Sequence, residues 1–168
     1  LKQYVKGLRY IGKKRYCPIC QLGSSRFGHA GTNKRQNARC LRCGSLERHR
    51  LVWRFFERKT DLFESKSNKV LHVAPEDVFI KLLGKKLGHG YLTADLYNPK
   101  AMIVMDITDI RYPDESFDVI YCSHVLEHVV DDKKAMSEFF RVLKKGGWAI
   151  LLVPIIGEKT FEDFSITD

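Results

Sequence analysis

Four of the five cysteines in this 168-residue chain fall into two Cys-x-x-Cys pairs. The first pair is Cys17 and Cys20, the second is Cys40 and Cys43, and 19 residues separate the pairs. Each pair can place two thiolates on one side of an ion, and a loop of this length can fold back as a hairpin that brings the second pair to the same ion. The spacing therefore predicts a tetrahedral zinc site with four cysteine ligands.

Such a site has no open coordination position, so we expect the zinc to support the fold rather than to react. The alternatives are two disulfides or a redox dithiol. No secretory signal precedes the cysteines, and two evenly matched Cys-x-x-Cys turns are not typical of a redox pair. The chemistry of the chain is therefore expected beyond the cysteines.

A second group of chemically capable side chains follows four short apolar segments. The group consists of Ala74-Pro75-Glu76, Asp95, Asp106-Ile107-Thr108 and Ser123-His124. In an open α/β sheet, ligands bind at the carboxyl ends of the strands. An acid about 20 residues beyond the first turn can accept hydrogen bonds from ribose hydroxyls, and Asp95 lies 21 residues beyond Ala74. The pattern favours a ligand that contains a ribose.

Short apolar strands alternate with amphipathic helices from Lys69 onward. The predicted strands are Val70–Ala74, Tyr91–Asp95, Met102–Asp106, Phe117–Cys122 and Trp148–Val153. The predicted helices run from Glu76 to about Leu87, and from Asp131 or Asp132 to Gly146-Gly147 with Ala135, Met136, Phe139, Phe140 and Leu143 turned inward. This order predicts an α/β fold with a doubly wound, mostly parallel sheet. The tail from Gly157 to Asp168 is too short to finish such a sheet, so we expect a sheet truncated at the C-terminus.

The chain divides into three predicted segments: a zinc ribbon at 1–44, a connecting helix and linker at 45–68, and the α/β domain at 69–168. Ser45 is placed to cap a helix that runs to about Thr60. Trp53 and Phe56 share one face of that helix, so we expect the helix to dock on the α/β domain. Its outer side would carry Arg48, Arg50, Arg54 and Arg58.

The formal charge of +9 is unevenly distributed along the chain. Residues 1–59 carry 16 Lys and Arg against two Glu, a net charge of +14, while the remainder carries −5. This asymmetry favours an anionic partner for the basic half, such as nucleic acid, a phosphorylated substrate or an acidic protein. The alternative is that the basic residues offset the charge of the zinc thiolates. Since no apolar run reaches the ~20 residues of a membrane span, we expect a cytoplasmic protein with reduced thiols.

Three further segments are informative when they are taken together: Met105-Asp-Ile-Thr-Asp-Ile-Arg-Tyr-Pro-Asp-Glu-Ser-Phe-Asp-Val-Ile, Ser123-His-Val-Leu-Glu-His-Val and Phe140-Arg-Val-Leu-Lys-Lys-Gly-Gly-Trp-Ala-Ile. They resemble S-adenosylmethionine-dependent methyltransferases of the type 11 domain family. The resemblance covers about residues 69–156 and implies a Rossmann-like sheet that binds S-adenosylmethionine. The run Cys-Gly-Ser-Leu-Glu-Arg-His-Arg that begins at Cys43 also resembles a zinc-bearing subgroup of these enzymes.

The resemblance implies roles for the residues at the strand ends. Asp95 would bind the ribose, Asp106 would receive the adenine amino group, and Ile107 would line the adenine pocket. The cofactor-binding set that it implies is Ala74, Pro75, Glu76, Asp95, Leu96, Asp106, Ile107, Ser123 and His124. The alternative for Asp95 and Asp106 is a structural role as acids that end strands.

The first loop departs from the family pattern. The family usually has an acid followed by a glycine-rich turn, whereas this chain has His72, Ala74 and Glu76 at those positions. Glu76 would either pair with the α-ammonium group of the cofactor or merely favour the positive end of its helix. The missing glycines also favour cofactor binding that is weak or lost.

Methyl transfer from a sulfonium is an in-line displacement, so alignment and proton removal are the main requirements. His124 is the candidate base, because imidazole titrates near neutral pH. Our first hypothesis is a methyltransferase with a small-molecule or saccharide-like acceptor. The second is an RNA methyltransferase whose ribbon offers Tyr4, Tyr10, Tyr16 and Phe27 for base stacking. The third is an inactive, methyltransferase-like binding module.

Overall fold

The computed structural model describes residues 9–64 and 68–155. The chain forms two compact units, Leu1–Ser65 and Lys66–Asp168. Two features discussed above, Tyr4 and the tail from Gly157 to Asp168, lie outside the described residues.

The first unit contains two small antiparallel sheets and one helix. Strands β1 (Ile11–Cys17) and β2 (Leu22–Ser24) form the first sheet, and β3 (Gly28–Ala30) and β4 (Arg35–Arg39) form the second. Helix α1 spans Glu47–Lys59. Because the first cysteine pair spans the end of β1 and its turn into β2, and the second pair follows β4, the hairpins can bring all four cysteines together.

Helix α1 packs its aromatic face inside the first unit. The rings of Trp53 and Phe63 lie 5.5 Å apart, and those of Phe56 and Phe63 lie 6.4 Å apart. Trp53 and Phe56 are almost fully buried, as is Leu62 beyond the helix. The docking of this face on the α/β domain stays a prediction.

The start of α1 differs from the prediction. Leu46, not Ser45, is the N-cap residue, and its N–H donates to Nδ1 of His49. Ser45 is fully buried, with its hydroxyl 3.3 Å from Sγ of Cys17 and 3.2 Å from Sγ of Cys43. The hydroxyl of Ser45, which the sequence pattern assigned to the N-cap of α1, therefore contacts the cysteine cluster instead.

Arg50 is also placed differently from the prediction. Its guanidinium donates to the carbonyls of Ser45 at 2.8 Å and Ala38 at 3.0 Å, and it lies over the ring of Phe27 at 4.4 Å. The prediction that Arg50 belongs to an outer, partner-facing side is therefore wrong. Arg50 ties α1 to β4, and it also covers the ring of the nearly buried Phe27.

The second unit is built on a five-stranded sheet in the order β7-β6-β5-β8-β9. The strands are β5 (Val70–Val73), β6 (Tyr91–Asp95), β7 (Ile103–Val104), β8 (Phe117–Ser123) and β9 (Leu143–Leu152), and all neighbours pair in parallel. Helices α2 (Asp77–Leu87) and α3 (Asp132–Val142) connect them. The chain moves outward from β5 in one direction, then returns to β8 on its other side. The junction of β5 and β8 is thus the topological switch point.

The predicted doubly wound parallel sheet is confirmed, with local corrections. Strand β7 has two residues rather than the predicted five. Helix α3 ends at Val142, and β9 begins at once with an irregular register around Gly146, whose φ is +80°. On α3, Met136 and Phe140 are exposed although we expected them to face inward. Only the stripe of Ala135, Phe139 and Val142 is buried, because five apolar residues span more of the helix surface than the sheet covers.

The core of this unit positions the strand ends. Leu71, Ala94, Ile120 and Phe139 are nearly fully buried in one cluster. Cys122 belongs to the same cluster, and burial raises the pKa of its thiol to about 12, which makes it an inert core residue. None of the helices in the described parts of the chain is long and apolar enough to cross a membrane.

Asp118, near the start of β8, has a structural role. Its carboxylate accepts the N–H of Lys69 at 2.7 Å and two hydrogen bonds from Nζ of Lys144. Burial opposes its charged form, but Lys144 and the Lys69 N–H outweigh that effect and lower the pKa of Asp118. The acid therefore ties the entry of β5 to the start of β9.

Candidate functional site

A cavity of about 620 Å³ lies at the carboxyl ends of β5, β6 and β8. Residues from four connecting segments form its wall: Val73, Ala74, Asp95, Leu96, Tyr97, Met105, Asp106, Ile107, His124, Val125, His128 and Val129. This is where ligands bind in doubly wound sheets. Six of the nine predicted cofactor residues line the cavity, and Pro75, Glu76 and Ser123 do not.

The first loop reaches the cavity through Ala74. This residue has a φ of +48°, in the left-handed region that usually requires glycine, and its N–H donates to the carbonyl of Ala94 at 2.9 Å. Ala74 occupies a position where the family pattern has glycine. The backbone therefore keeps the conformation of a glycine turn, with one added methyl group.

Glu76 belongs to a buried polar network beside the loop. Its carboxylate lies 2.9 Å from Nε2 of His72 and accepts the hydroxyl of Tyr121 at 3.1 Å. Nδ1 of the fully buried His72 lies 2.7 Å from the hydroxyl of Tyr91. Burial, and then the charge of Glu76, raise the pKa of Tyr91, so this phenol stays protonated. The network fixes the carboxylate of Glu76 to the core, at the N-cap of α2.

The two predicted acids both lie on the cavity wall and both also organise their loops. Oδ1 of Asp95 accepts the N–H groups of Tyr97 and Asn98, each at 2.8 Å. Oδ1 of Asp106 accepts both the N–H and the hydroxyl of Thr108 at 2.8 Å. The hydrogen bonds from Thr108 lower the pKa of Asp106, which is therefore ionised at neutral pH. Both acids therefore have the structural role that we gave as an alternative. In each carboxylate, Oδ2 has no hydrogen-bond partner among the described residues and can accept from a ligand.

The segment after β8 supplies the imidazoles of the cavity. His124 has a φ of +57°, and its N–H donates to the carbonyl of Leu152 at 2.8 Å. Its Nδ1 lies 3.2 Å from Oε1 of Glu127. His128 also lines the cavity, at the end of a 3-10 turn over Leu126–His128. Ser123, just before His124, is buried, and its hydroxyl has no hydrogen-bond partner among the described residues.

Sequence reasoning missed half of the cavity wall. The missed residues are Val73, Tyr97, Met105, Val125, His128 and Val129. Each lies within two residues of a predicted site residue or in the segment Ser123–Val129 that carried the family resemblance. Position next to a strand end was the available signal, but it does not tell which side chain turns toward the cavity.

The four predicted metal ligands come together in the first unit. The Sγ atoms of Cys17, Cys20, Cys40 and Cys43 all lie within 4.8 Å of one another, with Cys17 and Cys43 3.6 Å apart and Cys20 and Cys40 3.8 Å apart. Tetrahedral coordination with Zn–S bonds of ~2.3 Å places sulfurs about 3.8 Å apart. The sulfur positions therefore fit a zinc ion.

The backbone around the cysteines has the same form in both pairs. The residue after each second cysteine is left-handed: Gln21 has a φ of +55° and Gly44 a φ of +79°. In the second pair, the N–H of Gly44 donates to the carbonyl of Cys40 at 2.9 Å. Two similar turns facing each other suit four ligands to one ion.

Comparisons with known proteins agree with this geometry. A family model described as "Methyltransferase domain" matches residues 58–151. The chain is 32% identical over 85 residues to ajmaline N-methyltransferase of Rauvolfia serpentina, which covers 50% of this chain and 27% of that protein. It is 46% identical over 44 residues to the ubiquinone/menaquinone biosynthesis C-methyltransferase UbiE of Vibrio campbellii, which covers 26% of this chain and 17% of that protein. The matched part thus spans less than a third of these relatives.

The fold is also similar to that of a solved structure, the YcgJ protein of Bacillus subtilis. The TM-score is 0.50 with 20% sequence identity, over 62% of this chain and 50% of that chain. At this identity the likeness concerns the fold alone. Since the family model matches more than half of the residues and the sheet has the expected topology, the chain belongs to the methyltransferase domain family.

Proposed function

We propose that the second unit binds S-adenosylmethionine in the 620 Å³ cavity. We further propose that the protein transfers the methyl group of this cofactor to a small-molecule acceptor. The observation that carries this proposal is the placement of Asp95 and Asp106 on one cavity wall, each with one carboxylate oxygen that no other described residue engages. The backbone of Met105 joins their loops, because its N–H donates to the carbonyl of Asp95 at 3.1 Å.

The residues on the wall suit the parts of this cofactor. Oδ2 of Asp95 would accept hydrogen bonds from the ribose hydroxyls, and Asp106 would accept from the adenine amino group beside the apolar Ile107. The backbone at Ala74 would pass next to the methionine portion, which His124 would border. Because Glu76 is already bonded to His72 and Tyr121, we do not assign it to the α-ammonium group.

Adenosylmethionine, when bound, supplies an electrophilic methyl group on a sulfonium. The protein must then align the acceptor and take its proton, and His124 is our candidate for the proton. The polar side chains of His124, Glu127 and His128 at this end of the cavity suit an acceptor with hydroxyl groups, such as a saccharide-like molecule. The names of the relatives include both N- and C-methyltransferases, so the atom that is methylated is not fixed by family.

Calorimetric titration with S-adenosylhomocysteine tests the proposal. We expect one site per chain, because the cavity is a single continuous space at the switch point. Absence of heat from binding at any accessible concentration would contradict the proposal and would favour the inactive binding module instead.

We also propose that Cys17, Cys20, Cys40 and Cys43 hold one structural zinc ion, as in the zinc-bearing subgroup that the sequence resembles. The support is the mutual distance of the four sulfurs and the paired left-handed turns. Because zinc thiolates require reduced cysteines, a cytoplasmic location is part of this proposal.

RNA methylation remains a second candidate function, because two features of the first unit suit an RNA partner. Residues 9–64 contain 14 Lys and Arg against four acids. Arginines also stack on two tyrosines of the ribbon, with Arg26 4.8 Å from the ring of Tyr10 and Arg54 5.7 Å from the ring of Tyr16. Phe27 is not available for base stacking, since it is nearly buried under Arg50.

A further inference from the structure

We propose that Glu127 is a positioning residue that fixes the ring of His124 and its tautomer, so that Nε2 is the nitrogen that receives the proton of the acceptor. This inference rests on the proposed function, and it adds a residue outside the predicted catalytic and cofactor-binding sets. It concerns the segment between β8 and α3 that forms one end of the cavity.

The geometry of the pair supports this assignment. Nδ1 of His124 lies 3.2 Å from Oε1 of Glu127, three residues along the chain. The side chain of Glu127 is 22% exposed and that of His124 is 40% exposed, so the carboxylate is the more shielded partner. Within the described parts of the chain, Nε2 of His124 has no hydrogen-bond partner. An ionised carboxylate accepts only, so Nδ1 must carry the proton that it shares with Glu127.

The backbone also holds His124 in place. A histidine with a φ of +57° has an unfavourable conformation, which persists only where the surroundings maintain it. Here the N–H of His124 donates to Leu152 at the end of β9, and the 3-10 turn that carries Glu127 follows within two residues. Separate hydrogen bonds thus fix the backbone and the side chain of His124. This is expected if the orientation of the imidazole ring is important for proton transfer.

The proposed step balances in atoms and charge. A bond forms between the acceptor atom and the methyl carbon, while the bond from that carbon to the sulfonium sulfur breaks and leaves its electron pair on sulfur. The proton of the acceptor moves to Nε2 of His124, and the resulting imidazolium faces the carboxylate of Glu127. The carboxylate thereby stabilises the charge that His124 gains.

NMR of the full chain labelled with 15N at histidine tests the proposal without any acceptor. Long-range proton–nitrogen spectra above the titration range of imidazole report which nitrogen carries the proton, and His124→Gln identifies the signals. We expect Nδ1–H as the major form in the parent chain and a shift of the major form to Nε2–H in Glu127→Ala. Asp132→Ala, which removes a nearby acid on α3, is the matched control and should leave the tautomer unchanged.

Two outcomes would overturn the proposal: Nε2–H as the major form in the parent chain, or no change of tautomer in Glu127→Ala. If Glu127→Ala does not fold, Glu127→Gln takes its place, and a smaller Nδ1–H fraction than in the parent is expected because an amide oxygen is a weaker acceptor. Titration of the same samples with adenosylhomocysteine separates the two claims. A parent chain with Nδ1–H that binds no adenosylhomocysteine would contradict the proposed function but not the role of Glu127 in the tautomer.

Discussion

Ala74 holds a backbone conformation that glycine usually provides in this family. Its φ of +48° lets the loop after β5 turn into the cavity, and the hydrogen bond to Ala94 fixes that turn. The conformation costs a non-glycine residue roughly 1–2 kcal/mol, which the surrounding fold must supply. The missing glycines therefore do not show that the cofactor loop is lost.

Substitution of Asp95 tests whether this residue binds the ribose of the cofactor. Asp95→Ala should weaken adenosylhomocysteine binding by roughly 1.5–3 kcal/mol, because a charged hydrogen-bond acceptor is removed. Asp77→Ala is the control, since Asp77 pairs with Lys100 on the surface and does not line the cavity. Calorimetry measures both affinities. Equal affinities for Asp95→Ala and the parent would show that the ribose lies elsewhere.

Asp95 also organises its own loop, so a second substitution separates the two roles. Asp95→Asn keeps an acceptor oxygen for the N–H groups of Tyr97 and Asn98 but loses the charge. We expect its affinity to fall between those of the parent and Asp95→Ala. If Asp95→Asn bound as tightly as the parent while Asp95→Ala did not, the weaker binding would come from the loop rather than from the ribose.

The elements differ in how well the sequence predicts them. Strands β5, β6 and β8 are buried apolar runs, so their bounds were predicted within a residue or two. The N-cap of α1 was not predictable, because Ser45 suits a cap by type but serves the cysteine cluster, which only the fold brings near. Likewise, helical periodicity shows that Phe140 could face the core, but not that the sheet fails to reach it.

Substitution of Cys40, in the turn that contains the second cysteine pair, tests the zinc proposal. Cys40→Ser should release the zinc and unfold the two hairpins, because a four-cysteine site supplies much of the folding free energy of a small ribbon. Metal analysis and the amide NMR spectrum measure the two effects. Cys122→Ser, in the core of the other unit, is the control and should keep the metal. An intact ribbon in metal-free Cys40→Ser protein would contradict the zinc proposal.

The ion pair between Glu138 and Arg141 on α3 predicts that the stability of the fold depends on pH. Glu138 accepts from Arg141 and from the N–H of Ile110, and Arg141 holds the pKa of Glu138 down at about 2, against an ordinary 4.5. A depressed pKa in the folded state stabilises the fold above the unfolded value, and the stabilisation disappears as the pH falls through the folded value. The free energy of unfolding should therefore decrease between about pH 5 and pH 2.

Glu138→Gln isolates this contribution. Denaturant unfolding of the variant should show a shallower decrease of stability than the parent over that acid range. Glu115→Gln is the control, because the carboxylate of Glu115 forms a long, exposed ion pair with Lys145 at 3.7 Å. Parallel pH profiles for the parent and Glu138→Gln would mean that the packing of α3 against the segment 110–114 does not depend on this charge.

At the scale of the whole molecule, charge separates the two halves of the chain. The basic residues of the first unit lie on its strands, its loops and helix α1, and Lys13, Lys14 and Arg15 on β1 are exposed. If the partner is RNA, replacing all three by Gln should lower the salt dependence of binding by roughly one unit of slope for each phosphate that the variant no longer neutralises. Fluorescence anisotropy with a labelled oligouridine across a salt series measures this slope.

A second pair of measurements separates RNA from other polyanions. Tyr16→Ala should weaken binding of oligouridine but not of heparin, because heparin has no bases to stack on the ring. Arg50 is not a suitable position for such tests, since it holds α1 to β4. Absence of oligouridine binding at low salt would remove RNA methylation as a candidate and leave the small-molecule acceptor.

The proposed function depends most on the identity of the ligand in the cavity. A crystal structure of the chain grown with S-adenosylhomocysteine tests it most directly. We predict the ribose hydroxyls within hydrogen-bonding distance of Asp95, the adenine between Asp106 and Ile107, and the sulfur on the side of His124. A ligand bound away from these residues, or a cavity that stays empty at saturating ligand, would contradict the proposed function.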